Sequence, residues 1–283
     1  MTTTPRPGTG PSTSPTSPAS TAPGSVVDGA LRLAPYWATV LRRTWKGGVI
    51  SALVTPLLYV VAMGVLLGGF IEVAPGELEG ATSYLAFVAP GLLAAHVMTL
   101  VIGETTYPVM SGVKWHKTFF AMHATPLGIG SIVLANVGFI LLRTLVVSAF
   151  FVAVLAPFGV FTTWWGAVLA WATQALVIGA FTTPVFAFAA GLQDETAFAL
   201  VFRLGMIPMF LFSGAFFPVG NLDAPLEVVA RLTPLWHGVD LTRMFALGTF
   251  ELGPALVHVA YLVALTALGW WWAVRRLRAR MVV

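Results

Sequence analysis

Residues 129–156 read IGSIVLANVGFILLRTLVVSAFFVAVLA, a run of 28 residues in which Arg143 is the single charged side chain. The run exceeds the roughly 20 apolar residues that an α-helix needs to cross the hydrocarbon core of a bilayer. A charge near the middle of such a helix is costly unless it is paired or wetted. We therefore expect Arg143 to face a bundle interior, a water-filled path or a partner chain. The alternative is a shifted helix from which the guanidinium snorkels.

The composition extends this interpretation to most of the chain. Apolar residues make up 58% of the 283 residues and charged residues 9%, with a mean hydropathy of +0.88. Typical soluble domains are about 45–50% apolar and about 25% charged. These values argue against a soluble globule, a coiled coil and a nucleic-acid-binding domain. The chain has no cysteine, which excludes disulfides and thiolate chemistry.

Six segments are long and apolar enough to span a membrane, so the predicted fold class is an all-α integral membrane protein. Four of them contain proline, which a bundle tolerates where neighbouring helices satisfy the freed carbonyls. The predicted spans cover residues 49–71, 83–103, 129–156, 164–190, 198–218 and 254–274.

Two segments precede the first span. Residues 1–25 are dominated by Ser, Thr, Pro and Gly, and this composition predicts a disordered tail. Aromatic and basic residues recur at helical spacing over 26–46, which predicts an amphipathic helix in the headgroup layer. An ordinary juxtamembrane anchor is the alternative. The division is thus a tail over 1–25 and a membrane domain over 26–283.

The basic residues give the predicted orientation. Twelve of the 15 Lys and Arg residues fall on the side of the two termini, while Arg231 and Arg243 fall on the other. By the positive-inside rule, both termini lie in the cytoplasm of a multi-pass protein of the cell membrane. The same distribution explains the net charge of +4 without nucleic acid.

Motifs for chemistry are absent from the sequence. It contains no G-x-x-x-x-G-K-[ST] loop, no H-E-x-x-H and no G-x-S-x-G, so it predicts no ATP site, zinc site or serine nucleophile. His237, Asp240 and Arg243 follow one another at a spacing of three residues. Either they form a metal or relay cluster, or they are the polar face of a short outer helix capped by Thr233.

Several segments carry a family resemblance. Residues 210–218 read FLFSGAFFP, and 234–243 carry a P-L-x-H-x-x-D-x-x-R element. The stretch 104–127 contains E-T-T-Y, K-W-H-K and A-T-P-L. With the six-span layout, these features resemble the membrane subunits of ABC-2 type transporters, in particular the group with permeases for nodulation lipo-oligosaccharides and anthracycline-type drugs. Many relatives carry Gly-Glu early in span 3, where this chain has Ala135-Asn136.

The resemblance implies a permease subunit of an ATP-driven exporter for an amphipathic drug, lipid or lipo-oligosaccharide, a setting that includes multidrug and antibiotic resistance. Such subunits pair with a second copy or a close homologue, lie in membrane lipid, and dock P-loop ATP-binding subunits that hold the ATP and Mg. No cofactor is expected in this chain, and it is not expected to be an enzyme. An ATP-independent channel or carrier and a membrane-embedded lipid enzyme are the alternatives.

Two sets of candidate residues follow. The connection 104–125 is expected to couple the ATPase to the spans, through a basic and aromatic group formed by Glu104, Lys114, Trp115, His116 and Lys117. The apolar connection 217–253 is expected to form an outer re-entrant helical hairpin between spans 5 and 6. Residues expected to line the path or the gate are Arg143, Phe212, Phe216, Phe217 and Trp236.

Overall fold

The computed structural model describes residues 25–67 and 78–281. Within these ranges the chain is helical and contains no β-strand. Its α-helices are α1 (Val26–Arg32), α2 (Ala34–Tyr59), α3 (Tyr84–Thr105), α4 (Tyr107–Met110), α5 (Thr118–His123), α6 (Ile129–Leu155), α7 (Trp164–Gly191), α8 (Phe198–Leu200), α9 (Ile207–Phe212), α10 (Ala224–Arg231), α11 (Pro234–Leu247) and α12 (Leu252–Met281).

Three π-helical segments, with wider turns, adjoin these helices. Val60–Leu67 extends α2, Ser111–Trp115 extends α4, and Val201–Met206 joins α8 to α9. A π-helical segment places its backbone hydrogen bonds one residue further along than an α-helix does. Each segment therefore changes which side chains share a face above and below it.

The N-terminal segment forms two helices, so the single amphipathic helix expected over 26–46 is wrong. Ser25 and Asp28 form a capping box that starts α1. The chain turns at Leu33, and Pro35 in the first turn of α2 favours a new start there because its φ is fixed at a helical value. α2 then runs without interruption from the expected interfacial segment into the expected first span.

The bundle is organised around α3 and α7. In the apolar window of the Tyr84–Trp115 stretch, 83% of residues are buried, whereas the figure for α12 is 22%. α7 packs against α3, α6, α11 and α12. α3 and α7 are therefore central, and α12 keeps a wide apolar face outside the bundle.

Two buried clusters mark the two ends of the bundle. The first contains Phe87, Phe151 and Leu235 and lies towards the end where α10 and α11 are; we call this the outer end. The second contains Phe119 and Phe186 and includes residues from both the first and the last described helical regions; we call it the inner end.

A close helix crossing joins α7 to α12. A Cβ atom on Gly269 would lie 2.3 Å from Thr183 Oγ1 and 2.7 Å from the backbone nitrogen of Pro184. Only glycine fits there, and the Thr183 hydroxyl donates across the contact to the carbonyl of Thr266 at 3.0 Å. Small residues that let two backbones approach are a common basis of helix association in membranes.

Four helical stretches of the described chain are long and apolar enough to cross a membrane: Tyr84–Trp115, Ile129–Phe158, Trp164–Gly191 and Leu252–Met281. They correspond to predicted spans 2, 3, 4 and 6. Shorter apolar helices, Leu53–Met63 and Phe198–Phe212, fall at predicted spans 1 and 5. The end of predicted span 1, at 68–71, and the predicted disordered tail up to residue 24 lie outside the described residues. The count of six stays a prediction.

The expected exit of span 2 into a loop at residue 104 is wrong. Helical hydrogen bonds continue past it, from the amide of Thr106 to Ile102 and from that of Met110 to Thr106. Pro108 falls in the first turn of α4, where a missing N–H costs little. The helical stretch therefore reaches Trp115, and the chain reverses at Lys117, whose φ is 50°.

Candidate functional site

An ion pair joins the inner end of α3 to the middle of α6. Arg143 Nη1 lies 2.7 Å from Glu104 Oε1, and both side chains are about a quarter to a third exposed. The guanidinium that the sequence left without an assigned partner is thus neutralised inside this chain. Because the pair lies between two apolar helices, each charge offsets part of the desolvation cost of the other.

The five residues predicted for coupling do not form one group. Lys114, Trp115, His116 and Lys117 are consecutive and exposed at the end of the α3–α4 stretch. Glu104 lies ten residues earlier, about 15 Å along a helix at ~1.5 Å per residue. Its carboxylate faces Arg143, so Glu104 belongs to the ion pair and the other four residues form what we call the basic knob.

Residues of the basic knob contact two neighbouring side chains, Glu195 and Ser111. Lys114 Nζ lies 3.5 Å from a carboxylate oxygen of Glu195, in the connection between α7 and α8. Ser111 and His116 are hydrogen-bonded to each other through the hydroxyl and Nδ1. Trp115 is 48% exposed, which leaves a large aromatic surface next to two cationic side chains.

The layer beneath the basic knob is apolar and buried. Phe119, on α5, stacks on Phe186 of α7 with ring centroids 6.0 Å apart. Val113 and Met122 join the same cluster, together with Leu277 of α12. This cluster therefore connects the segment beneath the knob to α7 and α12.

Two helices, α10 and α11, lie in the connection for which an outer re-entrant hairpin is predicted. Thr233 caps α11 by accepting from the amide of Trp236, as the sequence predicted. α10 exposes Val228, Val229 and Leu232, each more than half exposed. α11 instead packs against α3 and α7. Whether the hairpin enters the membrane stays a prediction.

The structure brings the expected aromatic gate residues to the outer end but not into one cluster. Phe216 packs edge-on against Phe210, and its carbonyl accepts from the hydroxyl of Tyr84 at 3.2 Å. Phe212 is 37% exposed, and Phe217 is partly buried. Trp236 lies against two histidine rings described below. Arg143 lies apart from these residues, beside α2 and α3.

Arg243 is the most deeply enclosed charge of the described chain, and no local sequence pattern indicates this burial. Its side chain donates to Glu79 at 2.8 Å and to the carbonyls of Gly214 and Phe87 at 2.5 and 3.3 Å. Its guanidinium also lies 3.9 Å from the centroid of the Phe87 ring. One side chain thus ties α11 to the start of α3, to the segment after α9 and to the connection that precedes α3.

His237 and Asp240 both contact His258 of α12, a residue outside the predicted cluster. His258 Nε2 lies 2.9 Å from Asp240 Oδ2, and its Nδ1 lies 2.7 Å from Nδ1 of His237. Tyr261 stacks on His237 at 3.9 Å. The three residues of the predicted cluster form a polar face of α11, a short helix capped by Thr233, and this face is buried, since His237 and Arg243 are only 5% and 4% exposed.

His237 and His258 form a hydrogen-bonded pair, with Asp240 at the other ring nitrogen of His258. No set of three potential ligands in the described ranges is arranged to hold a metal ion. Burial and the neighbouring His258 lower the pKa of His237 to about 4, against an opposing effect of Asp240. His237 is therefore neutral at ordinary pH, and only one proton fits between the two facing Nδ1 atoms.

These features describe a helical membrane protein with a buried, hydrogen-bonded arginine at the outer end and an exposed basic knob at the inner end. The sequence model of the family described as ABC-2 type transporter matches residues 37–247, about three quarters of the chain. The chain therefore belongs to the ABC-2 type transporter family, which confirms the resemblance.

Curated relatives carry the name Nodulation protein J. The protein of Rhizobium meliloti (strain 1021) is 30% identical over 230 residues, which cover 79% of this chain and 84% of the relative. That of Rhizobium leguminosarum bv. trifolii is 31% identical over 219 residues, 75% and 81% of the two chains. That of Sinorhizobium fredii is 27% identical over 253 residues, 87% and 94%.

Proposed function

We propose that this chain is the membrane-spanning permease subunit of an ATP-driven exporter, which works as a dimer with separate ATP-binding subunits. Its cargo is an amphipathic molecule such as a drug, a lipid or a lipo-oligosaccharide. Membership of the ABC-2 type transporter family supports the class of the protein. The basic knob is the single observation that carries the proposed partnership, because it presents an aromatic anchor ringed by charge on a stiff helical support.

The proposal includes the topology and the location. Six spans in the cell membrane, with both termini in the cytoplasm, place the basic knob where an ATPase can reach it. Leu33 and the end of α12 belong to the same buried inner cluster, which supports a common side for the termini. Because the chain has no cysteine, single cysteines at residues 75 and 225 can be labelled without background. We expect both to react from outside, and a cytoplasmic reaction at either would contradict the topology.

Co-purification with a P-loop ATPase tests the partnership. The double variant Trp115→Ala/Lys117→Glu should lose the ATPase or uncouple hydrolysis from export, since it removes the anchor and reverses a charge. A matched control is Trp164→Ala/Arg278→Glu, which changes an exposed tryptophan and an exposed basic residue away from the knob. Wild-type binding and export by the knob variant would refute the coupling role. Transport that proceeds without any ATPase would favour the channel or carrier instead.

A further inference from the structure

Two cavities lie side by side along α2 and α6. The larger, of about 630 Å³, is a groove lined almost entirely by apolar side chains of α1, α2 and α6, among them Leu41, Leu142 and Val146. The smaller, of about 390 Å³, is bounded by α2, the α3–α4 stretch and α6. Its lining is also mainly apolar but includes Glu104, Ser111, His116 and Asn136, so we call it the polar cavity. Both volumes fall in the range of ~300–1,000 Å³ that is typical of small-molecule sites.

The two cavities share a boundary. Trp37 and Phe139 are stacked with centroids 4.5 Å apart, and both residues line both cavities. The ion pair lies on the same boundary, since Arg143 lines the groove and Glu104 lines the polar cavity. The cavities therefore form one cleft with an apolar half and a polar half.

The boundary carries two polar atoms that lack a partner among the described residues. They are Oδ1 of Asn136, which is 7% exposed and lines the polar cavity, and Nε1 of Trp37. An acceptor and a donor left unpaired in buried surroundings each destabilise the folded state. A ligand group with an N–H or O–H and an oxygen acceptor would satisfy both.

The charge of the cleft also limits the ligand. Glu104 and Arg143 neutralise each other at 2.7 Å, so the boundary presents no uncompensated charge to a ligand. An anionic or cationic headgroup would have to break that pair or remain unpaired, and either is unfavourable where water is scarce. The polar half therefore favours an uncharged headgroup.

We propose that this cleft binds an amphiphile whose hydrocarbon tail fills the groove between α2 and α6 and whose uncharged amide or hydroxyl headgroup bonds to Asn136 and Trp37. The inference rests on the proposed export function and adds to it a place and a substrate class. α1 forms one wall of the groove, so the tail enters beside the N-terminal segment at the inner end.

A photolabelling experiment on the full chain in phosphatidylcholine nanodiscs, without any ATPase, tests the site. The probe is N-palmitoyl glucosamine with a diazirine in its acyl chain. The comparison probes are palmityl alcohol and phosphatidylcholine with the same diazirine. We expect the glucosamine probe to label α2 and α6 about tenfold more than either comparison probe, with competition by unlabelled N-palmitoyl glucosamine. Equal labelling by phosphatidylcholine would mean that bulk lipid fills the groove and would overturn the proposal.

Two variants locate the tail and the headgroup. Gly138 lines the groove, and no atom lies within 4 Å of a Cβ built on it, so Gly138→Trp introduces a large side chain at a position with open space. It should reduce labelling about tenfold, whereas Gly253→Trp, at a glycine that is equally open, should not. Asn136→Leu should keep tail binding but abolish the preference for the glucosamine probe over palmityl alcohol.

The outcomes separate this proposal from the export function. Unchanged labelling in Gly138→Trp, or an unchanged preference in Asn136→Leu, would overturn the cleft as the binding site even if ATP-driven export is observed. If a variant does not fold, the mapped labelling sites on the wild-type chain decide the question alone. Specific labelling in the cleft without ATP-driven export would refute the export function and leave the site standing.

Discussion

Arg143 donates to Glu104 at 2.7 Å, which links two helices whose charged residues are 39 positions apart in the chain. This contact makes one feature out of two residues that the sequence assigned to different roles. It also places a compensated charge pair beside the cleft between α2 and α6.

Removal of one member of the pair should destabilise the protein more than removal of both. Arg143→Leu and Glu104→Gln each leave one charge without its partner, while the double variant leaves none. We expect a coupling free energy of about 1–3 kcal/mol from the double-mutant cycle. Thermal unfolding monitored by tryptophan fluorescence measures it, and additive effects of the two changes would contradict the pairing.

Arg243 should be required for a folded outer end. Arg243→Leu leaves the carbonyls of Gly214 and Phe87 without their donor, and we expect a loss of about 3 kcal/mol or more. Arg243→Lys should rescue little, because one ammonium cannot reproduce the planar fork. Arg231→Ala is the control: its pair with Glu227 is exposed and should be worth less than about 1 kcal/mol. Equal melting temperatures for the Arg243 and Arg231 variants would refute this role.

The buried pair of His237 and His258 predicts that the protein becomes less stable as the pH falls. The pKa of His237 is lowered to about 4 in the folded chain, so between that value and its ordinary value near 6.5 the unfolded state binds more protons. Stability should therefore fall as the pH drops from about 6.5 to 4. His237→Gln should flatten that part of the profile of melting temperature against pH. His116→Gln, on the exposed knob, should leave the slope unchanged.

The outer aromatic residues should affect export and not assembly. Trp236 contacts His237 and His258 and lies 5.3 Å beneath the guanidinium of Arg231. A carboxylate in place of Trp236 or Phe217 should hinder movement of an apolar cargo at the outer end. We expect Trp236→Asp and Phe217→Asp to reduce export while the ATPase still co-purifies. The control is Leu232→Asp, at a side chain that is 65% exposed. Normal export by both aromatic variants would exclude a gate.

The sequence predicted features that depend on nearby residues. Thr233 and Pro234 define the start of α11 because capping acts within one turn, and the four long spans follow from hydropathy alone. The break at Leu33 was missed because the periodic apolar pattern continues across it, although Pro35 was a usable signal. The helix beyond Glu104 was missed because its polarity resembles that of a loop.

The remaining contacts depend on distant residues and had no local signal. His258 meets His237 only because α12 packs beside α11, and Glu79 reaches Arg243 across 164 residues of chain. Arginine side chains are rarely buried, so a sequence alone predicts that an arginine in a connection between spans, such as Arg243, is exposed. The spacing of His237, Asp240 and Arg243 was the available hint, since it places all three on one side of a helix.

The crossing of α7 and α12 at Gly269 has a mechanical consequence. With the Thr183 and Pro184 backbone in the place where a side chain would stand, the two helices cannot slide past each other without a steric clash. We therefore expect α7 and α12 to move together as one unit if the bundle changes shape, since the Gly269 contact leaves no room for sliding between them.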